Sequence, residues 1–221
     1  MIIGRVEPRA YYISSKIAKQ NQQKKAAMNL ARAKIITPKG KGYNLFEPVD
    51  KQKVKHMDVA INLLRLRYSN HPEWFMSEKI CFVDIILFTM WTIKYEEFVA
   101  FPANPDGYGK LLPAGALDYQ KGLEPAYCRS NKLWGMEVDD MYNPLHIKGN
   151  QWVALWISLS KRHIVVWDSI LSYAKDEEID VAVEPIAVIM PALIHDTCLA
   201  EERHKYSYDR YTHERIKGGV P

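Results

Sequence analysis

Gly149-Asn150-Gln151-Trp152-Val153-Ala154-Leu155-Trp156-Ile157 is followed, after a short polar break at Ser160-Lys161, by His163-Ile164-Val165-Val166-Trp167-Asp168-Ser169. Two runs rich in Val, Ile and Trp, joined by a polar turn, predict an antiparallel β-hairpin over residues 151–168. In such a hairpin the numbers of facing residues sum to a constant. A two-residue turn at Ser160-Lys161 makes that sum 321, and a shifted turn makes it about 319. Residue 151 then lies opposite residues 168 to 170, so Gln151 and Asp168 are expected as neighbours at the open end. Val153, Leu155, Ile157, Ile164 and Val166 supply a face for the core. A histidine beside Asp168 would form a base–orienter pair awaiting a nucleophile. Glutamine has no nitrogen that titrates near neutrality, so Gln151 can donate to the carboxylate but cannot accept a thiol proton. On spacing alone, the competing reading is an ordinary pair of polar residues at a strand end.

Around this hairpin the 221 residues, 48% of them hydrophobic, suffice for one good-sized core with an appended arm. Residues 1–56 carry 13 Lys/Arg against three acids, a net +10, whereas the remainder nets −6. The chain therefore divides into a basic extension, residues 1–42, partly disordered or helical, and a mildly acidic body, residues 43–221. A basic arm is compatible with nucleic-acid contact through residues 1–56, or with a plain solvated extension. Cys81, Cys128 and Cys198 are widely spaced, which argues against a disulfide framework and offers no zinc pattern with the histidines. No cofactor is implied. The most apolar run, residues 80–93, is too short for a bilayer and contains Asp84. No membrane association is expected, and the location expected is nuclear or cytoplasmic.

Met57, Ala60, Ile61, Leu64 and Tyr68 recur at helical spacing and predict an amphipathic helix over residues 51–68, with Asp50 as N-cap and Arg65 off the apolar stripe. Residues 80–99 read as a second, more buried helix containing Cys81. Residues 134–144 read as a short strand between turn residues. Ile179, Ala182, Val183, Ile186, Met190, Leu193 and Ile194 form one face of a long helix that Pro185 and Pro191 should kink or split. Residues 201–217 read as a charged, Tyr-rich tail. The result is an α+β order: helices, a small sheet, then a helix.

Val138-Asp139-Asp140-Met141-Tyr142-Asn143-Pro144, the Gly149–Leu155 run and Ile164-Val165-Val166-Trp167-Asp168-Ser169 together resemble the ubiquitin-like-protease (SUMO protease) family of cysteine peptidases. The likeness is closest to its plant branch spread by transposable elements. Residues 43–50, His56-Met57-Asp58-Val59-Ala60, Glu184-Pro185 and the stretch from Arg215 to Pro221 look like the same branch. The resemblance implies a papain-like α+β fold, a His–Asp–Cys triad, an oxyanion glutamine, and cleavage after the Gly-Gly tail of a modifier such as SUMO. Asp168 matches the triad acid, and Trp152 matches the tryptophan that helps line the substrate site. Gln151 stands where the base histidine belongs. The Asp-Cys-Gly nucleophile motif is expected shortly after a segment like Gly219-Val220-Pro221, where this sequence stops, so the fold is expected to be incomplete, truncated at its C-terminal side. A tryptophan-containing segment usually precedes the helix bearing His56, and Lys51 to Lys55 runs directly into it here. None of the three cysteines sits in the nucleophile motif, and neither His146 nor His163 faces Asp168 under the hairpin arithmetic. An inactive peptidase is therefore expected. The alternatives are a non-catalytic module binding a modifier or another protein, with at least two of Trp152, Trp156 and Trp167 in the core, or a transposon-derived relic with a basic arm.

Overall fold

The computed structural model describes residues 51–101, 111–126, 129–147 and 151–217, without the side chains of Lys51 and Lys53. The basic extension of residues 1–42, the Asp50 cap, Cys128 and most of the stretch assigned to nucleic-acid contact lie outside the described residues.

Helix α1 spans Lys51–Asn70. Its Ile61 is buried, and Leu64 and Tyr68 pack with Phe75, Ile80, Phe82 and Tyr142. Arg65 departs from the expected solvent position: it is buried and its Nε donates to the Phe82 carbonyl at 2.7 Å. Ala60, expected on the buried stripe, is exposed. The chain then enters strand β1, Ile80–Phe82, and helix α2, Ile85–Ala100. The apolar run from residue 80 is thus not one helix. The Asp84 side chain accepts from the Ile86 and Leu87 amides at 3.1 and 3.3 Å, which caps α2 and ends the strand before it. A short helix α3, Ala116–Gln120, follows.

Strands β2, Asp140–His146, β3, Trp152–Ser158, and β4, His163–Trp167, form the centre of a five-stranded sheet ordered β1-β2-β3-β4-β5. β5 is Thr212–Ile216. The two outer pairings are parallel and the two inner ones antiparallel. Ser158 faces His163 and Ala154 faces Trp167, each pair summing to 321, so the hairpin has the register expected of its spacing. β2 extends past Pro144 to His146, with Pro144 opposite Ala154. The bonds Leu159 N to Asp139 O and Ile147 N to Gln151 O direct the odd-numbered residues of β2 toward β3. Pro144 therefore turns its nitrogen the other way, beyond the end of β1, where no ladder bond is lost.

Helix α4, Asp176–Thr197, runs unbroken through both prolines. Pro191 cannot donate to the Ala187 carbonyl, and the Tyr211 amide donates to it instead at 2.9 Å. Pro185 would bond Val181, which lies on the exposed side of the helix. The core forms between one sheet face and helices α2 and α4: Met141, Leu155, Ile157, Ile164 and Val166 meet Leu87, Trp91, Ile186 and Met190. The supposed tail contributes β5. Its inward side chains are polar, His213 on Asp180 at 2.7 Å and Arg215 on Asp168 at 2.6 Å. That polarity hides the strand from hydrophobic patterning.

Candidate functional site

The open end of the β3–β4 hairpin is closed by polar contacts. Gln151 immediately precedes β3 and Asp168 immediately follows β4, and both are buried. Gln151 Nε2 donates to Asp168 Oδ1 at 2.5 Å and lies 3.3 Å from the Ile170 carbonyl. Two oxygens on that side fix the amide orientation, because the opposite flip would set oxygen against oxygen. Gln151 Oε1 is enclosed and accepts no bond among the described residues. Asp168 Oδ1 also accepts from the Ile170 amide at 2.9 Å.

Sequence reasoning placed no partner on the second carboxylate oxygen. Arg215 Nη2 donates to Asp168 Oδ2 at 2.6 Å and to the Leu171 carbonyl at 3.1 Å. Its Nη1 reaches Asp176 Oδ1 at 2.7 Å, and Lys217 Nζ reaches Asp176 Oδ2 at 2.6 Å. Hydrogen bonds from Lys217 and then Arg215 hold the Asp176 carboxyl below its ordinary range. Arg215 sits on a strand that hydropathy did not reveal. The available signal was weak: the period-two spacing of His213 and Arg215, whose partners Asp180, Asp168 and Asp176 are distant in sequence.

Trp152, Trp156 and Trp167 are all partly exposed, contrary to the expectation that at least two would be core. They alternate with the core-facing residues and so fall on the sheet face away from α2 and α4. The Trp152 ring lies 5.0 Å from that of His146, its partner on β2. Trp167 stacks with Tyr142 at 6.3 Å, and Trp156 Nε1 donates to Asp140 at 2.8 Å. His163 is at the turn end of the hairpin, bonded to Thr212 at 2.7 Å.

Neither described cysteine joins this group. Cys81 is on β1, the opposite edge of the sheet from β5. Cys198 follows α4 and its Sγ donates to the His195 carbonyl at 3.1 Å, whereas Asp168 is linked through Arg215 to the other end of that helix. A 22-residue helix is about 33 Å long, which separates the two. Burial pushes the Cys81 thiol up to about 11, partly offset by the nearby Arg65. At neutral pH roughly one thiol in 10⁴ is ionised at such a value. Native Cys81 is accordingly expected to resist iodoacetamide at pH 7.5 and to react fully once unfolded, as read by peptide mass spectrometry. Labelling of the folded chain at the rate of a free thiol would contradict this.

Among the described residues, no cluster of three or more His, Cys, Asp or Glu could hold a metal ion, and no helix is long and apolar enough to cross a membrane. Residues 53–218 match the family model for the Ulp1 protease family, C-terminal catalytic domain. Comparison with curated proteins gives no match. Among solved structures, the chain is similar to a SUMO protease Ulp1 with the catalytic cysteine oxidized to a sulfenic acid. The identity is 10% and the TM-score 0.35, over 100% of this chain and 79% of that one.

Proposed function

Because the chain belongs to the Ulp1 protease family, we propose that residues 43–221 form a papain-like domain of the plant, transposon-associated branch that binds a SUMO-type modifier without cleaving it. The observation that carries this reading is Gln151, whose amide nitrogen occupies Asp168 Oδ1. The orienting carboxylate is present, and the group it orients cannot take a proton.

A cysteine peptidase needs its base to remove the thiol proton and later to protonate the leaving amine. An amide does neither. Loss of a triad base costs on the order of 10⁴- to 10⁶-fold in turnover, whatever thiol is brought to the site. Binding makes no such demand. Trp152, Trp156 and Trp167 offer partly exposed aromatic surface, and such surface is well suited to a protein partner.

The purified chain is expected to release no fluorophore from a fluorogenic SUMO–amide above the rate of buffer. Titration with SUMO should nevertheless quench tryptophan fluorescence saturably, with Trp152→Ala weakening binding about tenfold. Hydrolysis would overturn the assignment of inactivity, and the absence of saturable quenching would overturn the binding role.

A further inference from the structure

We propose that a cavity at the free edge of β1 captures the C-terminal carboxylate of a peptide that ends in an apolar residue. The cavity, about 500 Å³, lies among α1, β1, α3 and residues 122–125 and 129–134. It borders the opposite edge of the sheet from β5, whose Arg215 holds Asp168, and does not depend on the reading of that site.

β1 pairs with β2 on one side only. The bond from Val83 N to Tyr142 O directs odd-numbered residues toward β2, so Ile80 and Phe82 turn their amides and carbonyls to the free edge. Helix α1 satisfies the outer two of these four groups. Ile80 N donates to the Tyr68 hydroxyl at 3.3 Å, and Arg65 Nε donates to Phe82 O at 2.7 Å. The inner two, the Ile80 carbonyl and the Phe82 amide, lie on the same free edge, and both residues line the cavity. They have the spacing that receives the N–H and the carbonyl of one extended residue.

The charge nearest the Phe82 end is the Arg65 guanidinium, which makes no close ion pair among the described residues, although the Asp58 carboxylate on the same helix acts on it. Arg65 is only 9% exposed, and its Nη1 donates to the Asn62 side chain at 2.8 Å. With Nε on Phe82 O, both engaged nitrogens contact neutral oxygens, leaving Nη2 for a ligand. Lys132 Nζ bonds two neutral oxygens, the Tyr68 hydroxyl at 3.2 Å and the Glu78 carbonyl at 2.9 Å. Arg129 lines the exposed rim. Glu78 and Glu124 also line the space, so its cations exceed its acids by one.

A terminal residue fits this set. Its N–H meets the Ile80 carbonyl, and its carboxylate accepts from the Phe82 amide and from Arg65, which lies at the Phe82 end of the edge. Its side chain rests against Val83 and Trp134. A chain-terminal carboxylate brings a full charge to the Arg65 guanidinium, which the peptide group of an internal residue does not. A phosphate offers no N–H to the Ile80 carbonyl.

The test uses the full chain, ¹⁵N-labelled, titrated with acetyl-Ala-Leu as the free acid. Saturable amide shifts are expected at Ile80, Cys81, Phe82 and Val83. The C-terminal amide of the same dipeptide, and the acid built on N-methyl-leucine, should each bind at least tenfold more weakly. Arg129→Gln, a change at an exposed position, should weaken the acid about threefold, and Arg65→Gln should abolish binding if that variant folds. Equal binding of acid and amide, equal binding of the N-methylated acid, equal binding of acetate, or shifts confined to other elements would each overturn the proposal.

Discussion

Replacing Arg215 with alanine is expected to lower the unfolding free energy by about 3–5 kcal/mol, the cost of leaving a buried charge without its partner. The Asp168 side chain is 0% exposed and that of Arg215 8% exposed, so water cannot substitute for the guanidinium. After the change, Asp168 keeps the Gln151 amide and the Ile170 amide on Oδ1, but Oδ2 loses the Arg215 guanidinium. Asp168→Asn should also destabilise, by leaving Arg215 partly uncompensated. The double variant should lose less than the sum of the two, since each single change strands the same partner. Urea denaturation reads this as a lowered midpoint with an unchanged slope. Lys217→Ala is the control: its side chain is 62% exposed, its partner Asp176 is half-exposed, and the change should cost under about 1 kcal/mol. A loss below about 1 kcal/mol for Arg215→Ala would show that the pair does not hold β5 against β4.

That pair also shows where sequence reading succeeds and where it stops. The hairpin was legible because its two strands are apolar, its turn is short, and facing residues must sum to one number. Ser158 opposite His163 meets that sum, and Gln151 beside Asp168 follows from it. β5 was not legible, because its buried positions are His213 and Arg215, and a strand whose inward residues are polar reads as a solvated tail. Their partners Asp180 and Asp168 come from elements more than thirty positions away. The long helix was legible in its apolar face and not in its continuity. The amide that takes the carbonyl freed by Pro191 belongs to Tyr211, and no local pattern announces it. Arg65 was assigned to solvent because its charge lies off the stripe, yet the free edge of β1 supplies a carbonyl that only a long-range donor could reach. The identity of Gln151 as a base position rested on family likeness, whereas its contact with Asp168 rested on spacing.

Asp84→Ala is expected to cost about 3 kcal/mol, combining the loss of a helix cap with the stranding of an enclosed hydroxyl. Hydropathy treats Asp84 as a blemish in an apolar run from β1 into α2. In the fold it is 1% exposed and divides the two elements. Its Oδ1 accepts from the first-turn amides of α2, and both its oxygens accept from the Tyr119 hydroxyl, at 2.9 and 2.8 Å. Burial and the Asp84 charge together hold that phenol far above its ordinary value, so it remains a donor throughout the accessible pH range. Alanine removes all of these acceptors at once. Tyr119→Phe should cost only about 1 kcal/mol, and adding it to Asp84→Ala should restore part of the loss, because the orphaned hydroxyl goes with it. Asp84→Asn should fall between, since one amide oxygen still caps the helix. Thermal and urea unfolding rank the four variants. Equal stability of Asp84→Ala and the parent chain would mean that α2 starts without its cap. In that case Leu87 and Trp91, fully buried between α2 and the sheet, would suffice to set the end of β1 and the floor beneath the hairpin that carries Gln151 and Asp168.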